Sequence, residues 1–357
     1  MKRWMILLLL VCLTMGLTGC AGEAATYEKY TMSFFHTFDT LVQIIGYAEN
    51  MDVFTEVTGR AQAEFERLHR IFDAYAPYDG VNNLYTVNRD AAGGPVPAEP
   101  ELIDLLLFCR DRQAQAGDLV NVAMGSLLSI WHDYRTQGEG DPENAELPPM
   151  ALLEEAAQHI DFDDVVIDEE AGTVYFADPE LSLDVGAVAK GYATELVAQM
   201  LLASEMPSFI IGAGGNIRAG DPPLDGRLRW GISVQSPDEP VFGDNASLDV
   251  LYFANASAVT SGDYQRYYIV DGQRYHHIIS PETLMPADFL RAVTVVTEDS
   301  GWADFLSTTL FLMPYEEGRA LVDSLEGVEA LWVLPDGTIE MSDGMKTMAR
   351  SQGASSR

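Results

Sequence analysis

Apolar positions along this chain recur with two different periods. Phe54, Val57, Ala61, Phe65, Leu68 and Phe72 step by three and four, which is the spacing of one face of an α-helix. The same spacing predicts helices over 101–116 (ended by Gly117), over 150–158 after the Pro148-Pro149 stop, over 188–202 and over 303–312. Short runs of β-branched and aromatic residues predict strands at 41–47, 165–167, 173–176, 181–183, 209–211, 230–234, 250–253, 257–260 and 292–296. Asp271-Gly272 separates two more strand-like runs, 265–270 and 273–279, and Asp336-Gly337 separates 331–334 from 338–341. Asp-Gly between such runs is a strong hairpin signal, because a tight turn asks for positive φ. Hairpins, with helices in blocks rather than strict strand–helix–strand repeats, predict an α+β fold with mixed, largely antiparallel sheets and packed helices. The acidic stretch 137–149 reads as a long surface loop, and 346–357 as a flexible tail.

The N-terminus carries a different pattern. Lys2 and Arg3 precede ten uncharged residues, Trp4 to Leu13, too few to span a bilayer. Leu17-Thr18-Gly19-Cys20 then resembles the bacterial lipobox, which implies cleavage before Cys20 and a diacylglyceryl group on its sulfur. The expected division is a signal peptide over 1–19, a lipidated tether over 20–30, a folded domain over 31–345 and the tail. The expected location is the membrane surface outside the cytoplasm. With Cys12 in the leader and Cys20 lipidated, Cys109 is left in an apolar run, so neither an internal disulfide nor a thiolate metal site is expected. The formal net charge is −34, with 55 acidic against 21 basic residues. Such a surface repels nucleic acid, and an anionic ligand would need a metal ion or local basic groups to bind.

Four stretches have the composition of chemistry. Leu183-Asp184-Val185-Gly186-Ala187-Val188-Ala189-Lys190-Gly191-Tyr192 runs from a strand into a helix, whose free N–H groups and partial charge favour phosphate, with Lys190 adding a full charge. An ordinary turn with a solvated lysine fits the same spacing. Gly212-Ala213-Gly214-Gly215-Asn216 follows a buried strand and lacks the dinucleotide fingerprint, which leaves a tight turn or a close backbone approach to a ligand. Ser261-Gly262-Asp263-Tyr264 is followed by Tyr275-His276-His277, where neighbouring strand residues face opposite ways. One histidine can therefore face a cleft as an acid or base, but the pair suits no single metal. Asp304, Ser307 and Thr308 lie at i, i+3 and i+4 of a helix, a carboxylate and two hydroxyls that suit Mg²⁺ or simply form a polar face.

Taken in order, these stretches resemble the FAD:protein FMN transferase family from about Phe38 to Leu334. Thr37-Phe38-Asp39-Thr40 is similar to the family's Thr-Met-Gly-Thr, and Phe72-Asp73-Ala74-Tyr75 with Asn88 to its next block. Val122 to Leu127 with Ile130-Trp131, the Asp184–Tyr192 stretch, Gly214-Gly215-Asn216, Ser261 to Tyr264 and His277-Ile278-Ile279 continue the likeness. The resemblance implies a flavin transferase, T-fold-like architecture. It implies FAD contacts at Phe38, Tyr75, Leu119, Val120, Asn121, Asp184, Lys190 and Ile279. Mg²⁺ ligation is implied for Asp304, Ser307, Thr308 and the Ala187 carbonyl. The implied reaction moves FMN from FAD to a threonine hydroxyl of an acceptor flavoprotein and releases AMP, with His277 assisting the proton transfer. FAD hydrolysis by the same site, or a lipoprotein that only binds FAD, are the alternatives. The chain departs from the family at Asn121, at Ser280 (usually Asp) and at Leu284 (usually Gly). Serine at 280 is expected to deprive His277 of a neighbouring carboxylate and so weaken it as a base.

Overall fold

The computed structural model describes residues 26–238 and 246–357. The leader, its cleavage point and Cys20 lie outside the described residues.

The chain opens with a hairpin, β1 (Glu28–Thr37) and β2 (Thr40–Ala48), where the sequence pattern had placed part of a tether. Tyr30, Met32 and Phe34 of β1 pack on the core while Lys29, Thr31 and Ser33 alternate outward. Phe38 and Asp39 both take positive φ, 52° and 51°, to close a two-residue turn. Helices α1 (Met51–Phe72) and α2 (Leu84–Asp90) follow, then β3 (Val96–Pro97), α3 (Pro100–Ala116), α4 (Gly125–Gly140) and α5 (Met150–Ala156). β4 (Val165–Asp168) and β5 (Thr173–Phe176) precede α6 (Ala189–Leu202). The rest is β6 (Phe209–Ala213), β7 (Asn216–Ala219), β8 (Trp230–Gln235), β9 (Ser247–Phe253), β10 (Ala256–Gly262), β11 (Tyr267–Val270), β12 (Gln273–His276) and β13 (Ala292–Thr297), then α7 (Ser300–Phe311), α8 (Tyr315–Ser324), β14 (Glu329–Val333), β15 (Ile339–Met341) and α9 (Asp343–Met348).

Eight strands form one sheet in the order β1-β2-β6-β7-β10-β13-β14-β15, with every pairing antiparallel. The α+β expectation holds. The sheet is covered on both faces. Val293, Val295, Ala330 and Trp332 point into the main core with α1, α6 and α7, while Ala292, Val296, Leu331 and Val333 meet the β8–β9 ribbon and α9. A third, smaller core joins Leu127 and Trp131 of α4, Leu153 of α5, Tyr268 and Val270 of β11, and Ile279 and Leu284 beyond β12. It pins the β11–β12 hairpin against α4.

Three expectations need correction. Residues 181–183 are extended but belong to no sheet. Their backbone is satisfied by Asn88, which accepts from Leu183 N (2.8 Å) and donates to Leu183 O (2.9 Å), and by Gly125 N, which donates to Ser182 O (2.8 Å). The surface loop expected at 137–149 begins as the last turn of α4. The stretch 346–357 is packed rather than a loose tail. Ala349 is fully buried and bridges Leu251, Ser351 N donates to Asp249, and Ser356 O accepts from Leu228 N. No helix among the described residues is long and apolar enough to cross a membrane.

Candidate active site

The floor of the site is the crossing of α6 and α7. Every residue of α7 except Thr308 is buried. A Cβ on Gly191 would lie 2.4 Å from both Ser300 O and Asp304 Cβ, so only glycine lets the helices approach this closely. At that contact Gly191 N donates to Asp304 Oδ2 (2.7 Å). Ser307 Oγ donates to Asp304 O (3.0 Å) and meets Ser261 Oγ at 2.9 Å, while Thr308 Oγ1 lies 3.4 Å from the same serine. Ser261 of β10 thus gathers the two α7 hydroxyls, a role its own motif did not reveal. Behind the crossing, Arg218 of β7 pairs with Glu195 of α6 (2.9 Å), and Glu195 Oε2 accepts from Ser300 N (2.8 Å), tying β7, α6 and the start of α7 together.

Asp304 is buried and, among the described residues, has no cation at ion-pair distance. Burial raises its pKa, opposed in part by Lys190, by the Gly191 N–H and by the approach of the Asn216 amide. That amide nitrogen is itself buried without a hydrogen bond of ordinary geometry. A buried carboxylate beside hydroxyls, short of positive charge, is a hard-oxygen set of the kind that takes Mg²⁺ with substrate phosphates completing its shell. Ala187 sits half-buried in the turn before α6, where Gly186 N caps Asp184 Oδ1 (2.7 Å) and Lys190 Nζ reaches Gly186 O (3.5 Å).

The wall is supplied by segments far apart in sequence. His277 follows β12; both its N–H and its Nδ1 meet Arg266 O at 3.2 Å. A carbonyl only accepts, so Nδ1 carries the proton and Nε2 keeps its lone pair. His276 is the opposite case. Its Nε2 donates to Ala287 O (2.7 Å), its Nδ1 accepts from Ile278 N, and it is buried edge-on against Phe311. Burial, then Arg266, Lys190, His276 and Arg135, push the His277 pKa down to about 3. His277 is therefore neutral at ordinary pH. Ser280 does not touch it. Ser280 Oγ accepts from Glu282 N (3.2 Å) and Thr283 N (3.4 Å), capping a turn whose Leu284 takes φ 61° and whose Leu284 O accepts from Trp131 Nε1 (3.0 Å). The orienting partner of His277 is a backbone carbonyl, and its lowered pKa runs in the direction expected of a weaker base.

The same wall carries Arg135 of α4, whose Nη2 lies 3.1 Å from His132 Nδ1; the His132 ring stands 5.3 Å from that of Tyr75. Tyr75, 66% exposed, is held out by Asp73, whose carboxylate accepts from Tyr75 N, Ala76 N and Tyr78 OH. Tyr75 lies within electrostatic reach of Asp184, Arg135 and Arg266, Arg135 within reach of Asp184 and Arg266, and Lys190 within reach of Asp184, His277 and Asp304. Burial pushes the Asp184 carboxyl pKa up, opposed by the Gly186 N–H, His132, Lys190 and Arg135. Arg135 and Arg266 were not singled out in the sequence. Their only signal was being basic in a chain poor in basic residues.

The remaining sequence-predicted contacts are placed less directly. Phe38 sits at the β1–β2 turn, with its N–H on His69 Nδ1 (3.3 Å) and its ring against His69 and Phe72. Asp39 of that turn is within electrostatic reach of Tyr75. The neighbouring β6–β7 turn is tight, with Gly214 at φ 56° and Gly215 at 99°, and a Cβ on Gly214 would meet Thr40 Oγ1 at 2.3 Å. Leu119 is half-buried against the main core, and Val120 is buried with its carbonyl on Gln113 Nε2. Asn121 spends its side chain on Ile160 O and Ala123 N. Ile279 is buried in the third core. The side chains of Val120 and Ile279 are committed to packing, so any ligand contact at those two falls to the backbone, while half-buried Asn121 keeps one amide hydrogen unspent.

Residues 38–332 match the sequence profile of the ApbE family. The FAD:protein FMN transferase of Treponema pallidum (strain Nichols) is 30% identical over 356 residues, spanning 96% of this chain and 94% of its own. That of Klebsiella pneumoniae (strain 342) is 28% identical over 284 residues, 79% of this chain and 84% of its own. Among solved structures, the ApbE protein of Thermotoga maritima superposes with a TM-score of 0.78 at 28% identity, covering 90% of this chain and 99% of that one. The flavin transferase ApbE of Vibrio cholerae gives 0.73 at 22% identity over 90% and 100%, a likeness of fold.

Proposed function

The chain belongs to the ApbE family, and on that premise we propose that it is an FAD:protein FMN transferase that moves FMN from FAD to a threonine hydroxyl of an acceptor flavoprotein and releases AMP. One observation carries the reading. Gly191 N donates to Asp304 Oδ2 at 2.7 Å, so the Asp184–Lys190 turn and its lysine are tied to the oxygen-lined floor of α7 in a strongly acidic chain. Asp304, Ser307, Thr308 and the Ala187 carbonyl would hold Mg²⁺. When bound, the ion supplies positive charge against the pyrophosphate and the departing phosphate. His277 Nε2 takes the proton as the acceptor oxygen bonds to the flavin-side phosphorus and the bond to the AMP phosphate breaks. Lys190 steadies the phosphate charge, while Tyr75 and Phe38 offer aromatic faces to the flavin or adenine ring.

Incubation of the domain with FAD, Mg²⁺ and an acceptor should give a covalently fluorescent acceptor band and AMP in equal amounts. A chelator, or Asp304→Ala, should stop both. AMP without a labelled acceptor would instead mark an FAD pyrophosphatase, and FAD binding without AMP a carrier. Full transfer in excess chelator would remove the metal from the reading. The leader and Cys20 support a lipid-anchored protein outside the cytoplasm, for which wild type should take up labelled lipid and Cys20→Ala should not.

A further inference from the structure

We propose that Arg135 and Arg266 form a two-arginine clamp for the anionic phosphates of the flavin nucleotide, and that this clamp selects FAD over unphosphorylated flavin. The inference rests on the transferase reading above and adds to it two residues from separate parts of the chain. Arg266 is exposed, and among the described residues its guanidinium has neither a carboxylate partner nor a hydrogen-bond acceptor. Arg70, Arg110, Arg112, Arg229, Arg350 and Arg357 also lack a carboxylate partner among the described residues, so what sets Arg266 apart is its place, with its own carbonyl 3.2 Å from His277 Nδ1. Arg135 is largely buried, its side chain 17% exposed, with its nearest carboxylate, the exposed Glu139, at 3.8 Å. Burial and the nearness of Arg266 both act against its charge. Both guanidiniums and Lys190 therefore act on His277, and Asp184 lies within electrostatic reach of Lys190 and Arg135. Holding like charges together costs free energy unless an anion joins them.

The arrangement is built by the fold. The third core packs the face of α4 that carries Leu127 and Trp131 against β11, and Trp131 Nε1 donates to Leu284 O in the turn that follows the hairpin. Arg135 extends from α4, and Arg266 stands just before β11, with its carbonyl holding His277. A planar guanidinium suits phosphate oxygens in two-point contact, and arginine stays charged even where burial would neutralise lysine. Arg266 also bears on catalysis, because its backbone orients the base while its side chain faces the anion.

The test is equilibrium binding of FAD and of riboflavin, followed by flavin fluorescence, to the domain and to Arg266→Gln, Arg135→Gln and Arg266→Lys, with and without Mg²⁺. Each glutamine variant should weaken FAD by about 10- to 100-fold, the range of a charge-assisted contact, and riboflavin by less than about threefold. Arg266→Lys should recover part of the loss. Inorganic pyrophosphate should compete with FAD on wild type and lose potency on the variants. FAD bound equally by wild type and both glutamine variants overturns the clamp and leaves the transferase reading intact. Equal weakening of FAD and riboflavin also overturns it, since that marks damage to the ring site or the fold. Failure of wild type to bind FAD at all would remove the transferase reading itself and the clamp with it.

Discussion

At the crossing of α6 and α7 the Gly191 N–H reaches Asp304 at 2.7 Å, with no room for a methyl group between the helices. Across the site, Tyr75 is 66% exposed and the Arg266 guanidinium is unbonded among the described residues. The floor is made by backbone proximity between two buried helices, so each of its parts is over-determined by packing. The wall is made by side chains on α4, on the Asp73 loop and around the β11–β12 hairpin, joined through a small separate core. Hard cations need fixed oxygens, which the floor would supply to the proposed Mg²⁺. A dinucleotide and a protein acceptor must enter and leave, which suits a wall whose charged ends are unspent until a ligand arrives.

The contrast predicts that rate and stability separate between the two regions. The largest effect on rate belongs to the wall. His277→Gln should slow transfer by about 10²–10⁴-fold, the usual contribution of a general base, with little change in the urea midpoint near neutral pH. Because burial and the surrounding cations hold His277 near 3 rather than at its ordinary 6.5, the free enzyme keeps its base form well into acid. The pH profile of kcat/KM should then show no acid limb near 6.5. In stability the sign follows from the depressed value. Between about 6.5 and about 3 the unfolded chain takes up a proton at this position and the native state does not. Wild type should therefore lose more stability on acidification than His277→Gln. An acid limb near 6.5 that vanishes in the variant would show that the imidazole titrates normally and the wall is wetter than argued.

Next comes the floor. Gly191→Ala must push Ser300 O and Asp304 apart from α6, at a cost of about 1–3 kcal/mol for overpacking, read as a lower urea midpoint at unchanged slope. Displacing Asp304 by about an ångström should also cost on the order of 10²-fold in transfer. Here rate and stability fall together, which distinguishes floor from wall; a variant of full stability and full activity would mean that the crossing is looser than the close contacts require. The smallest effect is expected from Ser280→Asp. Aspartate accepts the same N–H bonds from Glu282 and Thr283, so the turn survives and transfer should change by less than about tenfold, the scale of one hydrogen bond to a charged group. A larger gain in rate would return residue 280 to direct partnership with His277.

What the sequence determined by itself was whatever local repetition encodes. The periodicity of Phe54 to Phe72, the Asp-Gly turn at 271–272 and the i, i+3, i+4 set at Asp304 each state their own geometry, because a helix face or a tight turn depends on few neighbours. The family resemblance pointed to Asp304, Ser307 and Thr308, while Ser261, Arg218 and Glu195 joined the floor only in the structure. Tertiary structure decided the rest. Segment 181–183 has the composition of a strand, yet finds its backbone partners in Asn88 and Gly125 instead of a ladder. Residues 346–357 look polar enough to fray, yet Ala349, Ser351 and Ser356 lock onto the β8–β9 side. Ser280 stands three residues from His277 and still serves only its own turn, while the carbonyl that orients the imidazole comes from Arg266, across a hairpin. Arg135 and Arg266 are 131 positions apart, and no pattern along the chain relates them. Their coming within electrostatic reach depends on a core of α4, α5 and β11–β12 residues burying against one another, and that cooperative, long-range burial is what a reading of local spacing cannot contain.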